Sequence, residues 1–103
     1  MSNDAWRNAR VMYEKDTCAR KMGIELIEMD DGFAQMSMTV SADMLNGHQT
    51  CHGGQLFTLA DTAFAYACNS QGLAAVASAA SIDFLRPAFA GDRLVFAEHP
   101  KDP

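Results

Sequence analysis

Asp61 is the only charged residue among the thirty positions that separate His52 from Asp83. It falls inside the most apolar stretch of the chain, with Leu59-Ala60 before it and Ala63-Phe64 after it. A carboxylate in such a segment is costly unless it is hydrogen-bonded or opens on a cleft. A helix cap or a buried partner arginine would explain it structurally. Asp61 stands too far into the expected helix to cap it, however, and no basic residue lies within a turn. Isolated carboxylates of this kind concentrate at active sites. Burial there would suit Asp61 to act as general base or nucleophile at neutral pH.

Just upstream, His52-Gly53-Gly54 falls where the same helix begins. Two glycines leave the first backbone N–H groups sterically open, and the helix dipole adds partial positive charge. The pair therefore suits a site that polarises a carbonyl and holds an oxyanion. A glycine pair at a helix start is equally explained by tight packing, so the spacing to Asp61 carries the weight. Eight residues of helix span about 12 Å at a rise of roughly 1.5 Å per residue. A reacting carbonyl must lie about 3 Å from both its oxyanion donor and its attacking group. One helix cannot easily present both, whereas two copies packed antiparallel about a twofold axis can, with Gly53 of one facing Asp61 of the other. The spacing predicts an obligate dimer with shared sites.

Other combinations are weaker. His48 and His52 stand four apart with Cys51 between them, but His48 belongs to an expected turn and no fourth ligand recurs nearby, so no metal is expected. Cys51 as a nucleophile activated by the neighbouring His52 is disfavoured, because adjacent residues rarely point toward each other on one element. The seven methionines, including Met36 and Met38, read as core filler that also suits an adaptable apolar pocket. No cofactor is implied.

The elements that must position these groups follow from periodicity. A first helix starts at Asn3 or Asp4, with Trp6, Ala9 and Tyr13 on one face. A short second helix, Asp16 to Met22, ends at Gly23. Ile24 to Met29 reads as a strand, Asp30-Asp31-Gly32 as a turn, and Phe33 to Val40 as a second strand with Ala34, Met36, Met38 and Val40 on one face. The two strands should form an antiparallel hairpin. Ser41 to Thr50 is a connection rich in turn formers. A helix then runs from Cys51 or His52 to about Ser70, with Gly72 as its stop. Apolar on nearly every side, it should be the buried central element. Ala74 to Leu85 reads as a strand, and Gly91-Asp92 turns the chain into a last strand, Arg93 to Glu98. Strands that outnumber helices and are partly joined by hairpins imply an α+β domain, an antiparallel sheet wrapped around one helix.

Composition narrows the partners. The chain has 103 residues, 49% of them hydrophobic, with 13 acidic against 8 basic residues and a net charge of −5. One domain over 1–103 is expected. The acidic balance and the absence of any Lys/Arg run argue against nucleic acid or an anionic membrane surface. Three cysteines without a C-x-x-C pair fit a reducing cytoplasm, and Met1 to Arg10 has no apolar signal-peptide core. Thr62 to Ile82 is uncharged, but it is dominated by alanine and interrupted by Asn69-Ser70-Gln71-Gly72, so a membrane span is not expected.

The run from Asn46 through His52-Gly53-Gly54 to Leu56, then Ala60-Asp61-Thr62-Ala63, then Ile82-Asp83-Phe84-Leu85-Arg86-Pro87 with Gly91-Asp92, resembles the hotdog-fold acyl-CoA thioesterases, and among them the branch that serves phenylacetate degradation. The resemblance implies hydrolysis of phenylacetyl-CoA, hydroxyphenylacetyl-CoA or related acyl-CoA thioesters, without metal or bound cofactor, by a homodimer or homotetramer. The roles it implies are Asp61 as base or nucleophile, the Gly53 N–H as polarising donor, Asn46 and His52 as supporting residues, and Thr62 as a group that positions water or thioester. It also implies two further strands after Leu94, so the last strands of the hotdog sheet are expected to be missing from this chain. The alternative reading is a non-catalytic hotdog chain that binds acyl-CoA or a partner subunit.

Overall fold

The computed structural model describes residues 3–70 and 86–99. Helix α1 (Asn3–Lys15) has an acid in its first turn and a base in its last, which complements the helix dipole. It buries Ala5 and Ala9 completely, with Trp6, Met12 and Tyr13 at the margin of the core. Helix α2 (Thr17–Met22) is capped at both ends as its sequence suggests. Asp16 Oδ1 accepts the Ala19 N–H at 3.0 Å, and Gly23 takes the left-handed conformation, φ 72°, that releases the chain.

Strands β1 (Glu25–Asp30) and β2 (Phe33–Thr39) form the expected antiparallel hairpin, with a register shift between Leu26 and Glu28. Alternation along β2 puts Ala34, Met36 and Met38 into the core, none more than 1% exposed. Strand β3 (Arg93–Glu98) pairs antiparallel with the other edge of β2, Met36 opposite Phe96, so the described sheet has the order β1-β2-β3. With helices packed on it, this is the α+β arrangement that the sequence implies.

Helix α3 (Gly53–Cys68) lies over β2 and β3 and buries Leu59, Ala63, Tyr66 and Ala67. Burial on every side is not observed, since Gly54 and Asp61 are exposed while Phe57 and Phe64 are half-buried. A sheet covers one side of a cylinder, and at about 100° per residue Asp61 lies roughly 140° around the helix from Tyr66. The helix ends at Cys68 with Asn69 as its C-cap, ahead of the expected stop at Gly72. Gly72 and the strand expected over 74–85 lie outside the described residues. Among the described residues no helix is long and apolar enough to cross a membrane.

Two side chains fasten the end of α3 to the rest. Ser70 Oγ accepts the Gly32 N–H at 2.7 Å and donates to Ala67 O at 2.9 Å, while Ser70 O accepts from Asn8 Nδ2 at 2.9 Å. Tyr66 is 1% exposed, and its hydroxyl donates to Asp16 Oδ2.

Candidate active site

The entrance to α3 is built by backbone hydrogen bonds. A short 3₁₀ turn, Ala42–Met44, leads into a loop closed by a bridge between Leu45 and Cys51. Cys51 N–H donates to Ala88 O and His52 N–H to Met44 O, each at 2.7 Å. His52 is the N-cap, extended at φ −60° and ψ 135°, and its carbonyl accepts from Gln55 and Leu56. Its exposed side chain makes no cap bond. Neither the Gly53 nor the Gly54 N–H has an acceptor among the described residues. No described residue therefore caps these two adjacent donors at the positive end of a 16-residue helix.

Two of the glycines at this entrance are not required by the chain's own packing. A Cβ at Gly47 would meet nothing within 4 Å, and one at Gly54 would meet only His52 Nδ1, at 3.9 Å. Neither residue has a left-handed backbone. The room beside them opens outward from the chain.

Within the loop, Asn46 is half-buried and its Oδ1 accepts from the His48 N–H at 2.9 Å and from the Thr50 N–H and hydroxyl at 3.2 Å each. Asn46, His52 and Gly53 thus gather at one end of α3. Asp61 sits more than two turns along the same helix, exposed, with no hydrogen bond or ion pair to a described residue. The described residues do not supply the burial expected for it, because the described sheet packs on the opposite face of the helix. With the helix continuous from Gly53, the two groups are about 12 Å apart along its axis. Thr62, next to Asp61, donates its hydroxyl hydrogen to Thr58 O at 2.6 Å, which leaves its oxygen to accept rather than donate outward.

Cys51 is buried, and burial pushes its thiol up, so little thiolate forms at neutral pH. His48 is exposed in the turn. No cluster of three or more His, Cys, Asp or Glu that could hold a metal occurs among the described residues.

Two grooves flank the first turn of α3. One, of about 480 Å³, is lined by Arg20, Lys21, Ser41, Asp43, Met44 and Gln55. Its two cations are exposed and have no acidic partner among the described residues, whereas Asp43 is held by the Ser41 hydroxyl. The other, of about 600 Å³, is lined by Leu56, Arg86, Phe89, Asp92 and Leu94 among others. Sequence reading missed Arg20 and Lys21, because only the fold brings the last turn of α2 beside Gln55. It also missed Thr50, for which the Asn-Gly turn signal upstream was the available cue.

Residues 48–98 match the model of the thioesterase superfamily. The acyl-coenzyme A thioesterase PaaI of Escherichia coli K12 is 73% identical over 94 residues, covering 91% of this chain and 67% of its own length. The structure of the E. coli PaaI protein from the phenylacetic acid degradation operon superposes with a TM-score of 0.92 at 71% identity, covering 93% of this chain and 70% of that one. A hypothetical thioesterase protein of Streptococcus pneumoniae TIGR4, solved with coenzyme A, superposes with a TM-score of 0.67 at 33% identity, covering 70% of this chain and 56% of that one.

Proposed function

This chain belongs to the thioesterase superfamily, and we propose that, as one hotdog domain, it hydrolyses acyl-CoA thioesters of the phenylacetate-degradation type, such as phenylacetyl-CoA or hydroxyphenylacetyl-CoA, in a site shared between two copies. The observation that carries this reading is the pairing on one helix of two groups of opposite character that no described residue satisfies. The Gly53 N–H, without a described acceptor, stands at its start and the exposed carboxylate of Asp61 two turns on, on the side away from the described sheet. Two such helices, antiparallel across a twofold axis, bring each carboxylate opposite the other copy's donor, and burying that face removes Asp61 and the half-buried Phe57 and Phe64 from water. A tetramer would pair two such dimers.

In this site the thioester carbonyl accepts from the Gly53 N–H, which stabilises the charge that develops on oxygen. Asp61 acts in one of two ways. As general base it takes a proton from water while the water oxygen bonds to the carbonyl carbon. As nucleophile its own oxygen bonds to that carbon and water later opens the resulting anhydride. Either route breaks the C–S bond, and the thiolate leaves and is protonated, giving a carboxylic acid and free thiol. Asn46 and His52 border the reacting end, and Thr62 offers an acceptor beside Asp61. The basic groove with Arg20 and Lys21 suits the phosphates of the thiol carrier.

The test is a hydrolysis assay across aryl and alkyl CoA thioesters on the 103-residue chain, with Asp61→Asn beside it. Thioester turnover that Asp61→Asn abolishes supports the reading. Binding of acyl-CoA without turnover would replace it with the non-catalytic alternative.

A further inference from the structure

Asn46 and Thr50 meet through three separate polar groups of Thr50. The Thr50 N–H and hydroxyl both donate to Asn46 Oδ1 at 3.2 Å, and the Thr50 carbonyl accepts the Asn46 N–H at 2.8 Å. His48 N–H adds a third donor to Oδ1 at 2.9 Å. The ring so formed encloses Gln49, a non-glycine residue held at φ 63°, a conformation that persists where surrounding bonds impose it.

The chemistry of the carboxamide settles which of its ends faces the ring. Two backbone N–H groups converge on it, and neither can accept. Turned the other way, the NH2 group would oppose both, so the oxygen must face inward. Three donors then share one carbonyl oxygen, and the two N–H bonds of Nδ2 lie on the other end of the planar group, away from the loop. The two backbone donors belong to the turn itself. Among the described residues, the Thr50 hydroxyl is the one side-chain donor in this arrangement.

We propose that Thr50 is a positioning residue of the thioesterase site, which holds the Asn46 carboxamide with its nitrogen as the donor presented to the reacting end. The inference rests on the shared-site reading above, in which Asn46 borders the thioester. It adds a residue four positions on that acts only through Asn46.

The experiment compares Thr50→Val, Thr50→Ser, Asn46→Ala and the Thr50→Val/Asn46→Ala double variant, each checked for the native circular dichroism spectrum. Turnover of an acyl-CoA thioester is measured with the two Asn46 carboxamide N–H resonances. Thr50→Val, which keeps the shape and removes the hydroxyl, is expected to lower kcat about tenfold with KM within about twofold, the scale of one lost hydrogen bond. It should also shift or broaden the carboxamide pair. Thr50→Ser should restore both, and in the Asn46→Ala background Thr50→Val should cost nothing further. An unchanged kcat and carboxamide pair in Thr50→Val, or a loss that adds fully to that of Asn46→Ala, overturns the proposal. Were the wild-type chain to hydrolyse no thioester, the functional reading would fall, and the carboxamide resonances would still decide whether Thr50 holds Asn46.

Discussion

The Tyr66 hydroxyl donates to the Asp16 carboxylate across 3.1 Å, and the other oxygen of that carboxylate caps α2. One acid therefore ties the N-terminal helices to the sheet-facing side of α3. Tyr66→Phe removes the donor and should cost about 1 kcal/mol at neutral pH, read from the urea midpoint. Burial, and then the Asp16 carboxylate, push the Tyr66 phenol above its ordinary value. A group raised on folding contributes stability that is complete below its unfolded value, about 10 for tyrosine, and lost as pH climbs past it. Wild type should accordingly lose stability above about pH 10 more steeply than Tyr66→Phe. Parallel curves for the two would refute the contribution.

Asp61→Asn should leave the fold intact, since the side chain touches no described partner, and lower turnover by about 10²-fold or more. A single turnover in ¹⁸O-water, with trapping of any adduct, separates its two roles. Label recovered in the Asp61 peptide marks the nucleophile, with water opening the anhydride at the Asp61 carbonyl, and a trapped Asp61 acyl-anhydride adduct marks it where water attacks the substrate carbonyl instead.

Gly53→Pro removes the N–H proposed as the polarising donor. Position 53 is the first residue of α3, where proline is tolerated, and the preceding His52 already has the extended backbone that proline demands. Thermal stability should stay near wild type while kcat falls about 10²-fold. Mixed with Asp61→Asn subunits, the inactive Gly53→Pro protein should regain activity. Each hybrid dimer then has one site with both groups, giving about a quarter of the wild-type rate at random mixing. No recovery after subunit exchange would rule out the shared site.

Arg20→Ala and Lys21→Ala should raise KM for a CoA thioester several-fold, with an effect that shrinks as salt rises, and leave kcat alone. With a thioester of pantetheine lacking the nucleotide, the variants and wild type should have equal KM. An equal KM with the full CoA thioester would remove the basic groove from the site.

Local chemistry was the part of this protein most readable in its sequence. The β1–β2 hairpin, α2 with its Asp16 and Gly23 caps, the start of α3 at His52-Gly53, and β3 all rest on near-neighbour signals and fall within a residue or so of their expected limits. The surroundings of Asp61 were not readable. The apolar flanks of α3 say how much of the helix avoids water, but not whether its cover comes from this chain's sheet or from another copy. The same limit hid the Asp16–Tyr66 bond and the Ser70 contact to Gly32, which join residues 50 and 38 positions apart. The Arg20–Lys21 groove was hidden for the same reason, since nothing in α2 announces that it faces Gln55.

Ser70 closes three junctions with one residue: Asn8 of α1 on its carbonyl, the turn glycine between β1 and β2 on its hydroxyl, and the last turn of α3 beneath it. Parts that share an anchor of this kind open together. α1, the hairpin turn and the exit of α3 should therefore exchange their amide hydrogens as one cooperative unit, while the Asn46–Thr50 ring at the opposite end of α3 opens on its own schedule. The helix that bears Asp61 is thus held at its two ends by separate locks, so disturbing α1 need not loosen the turn that leads into α3.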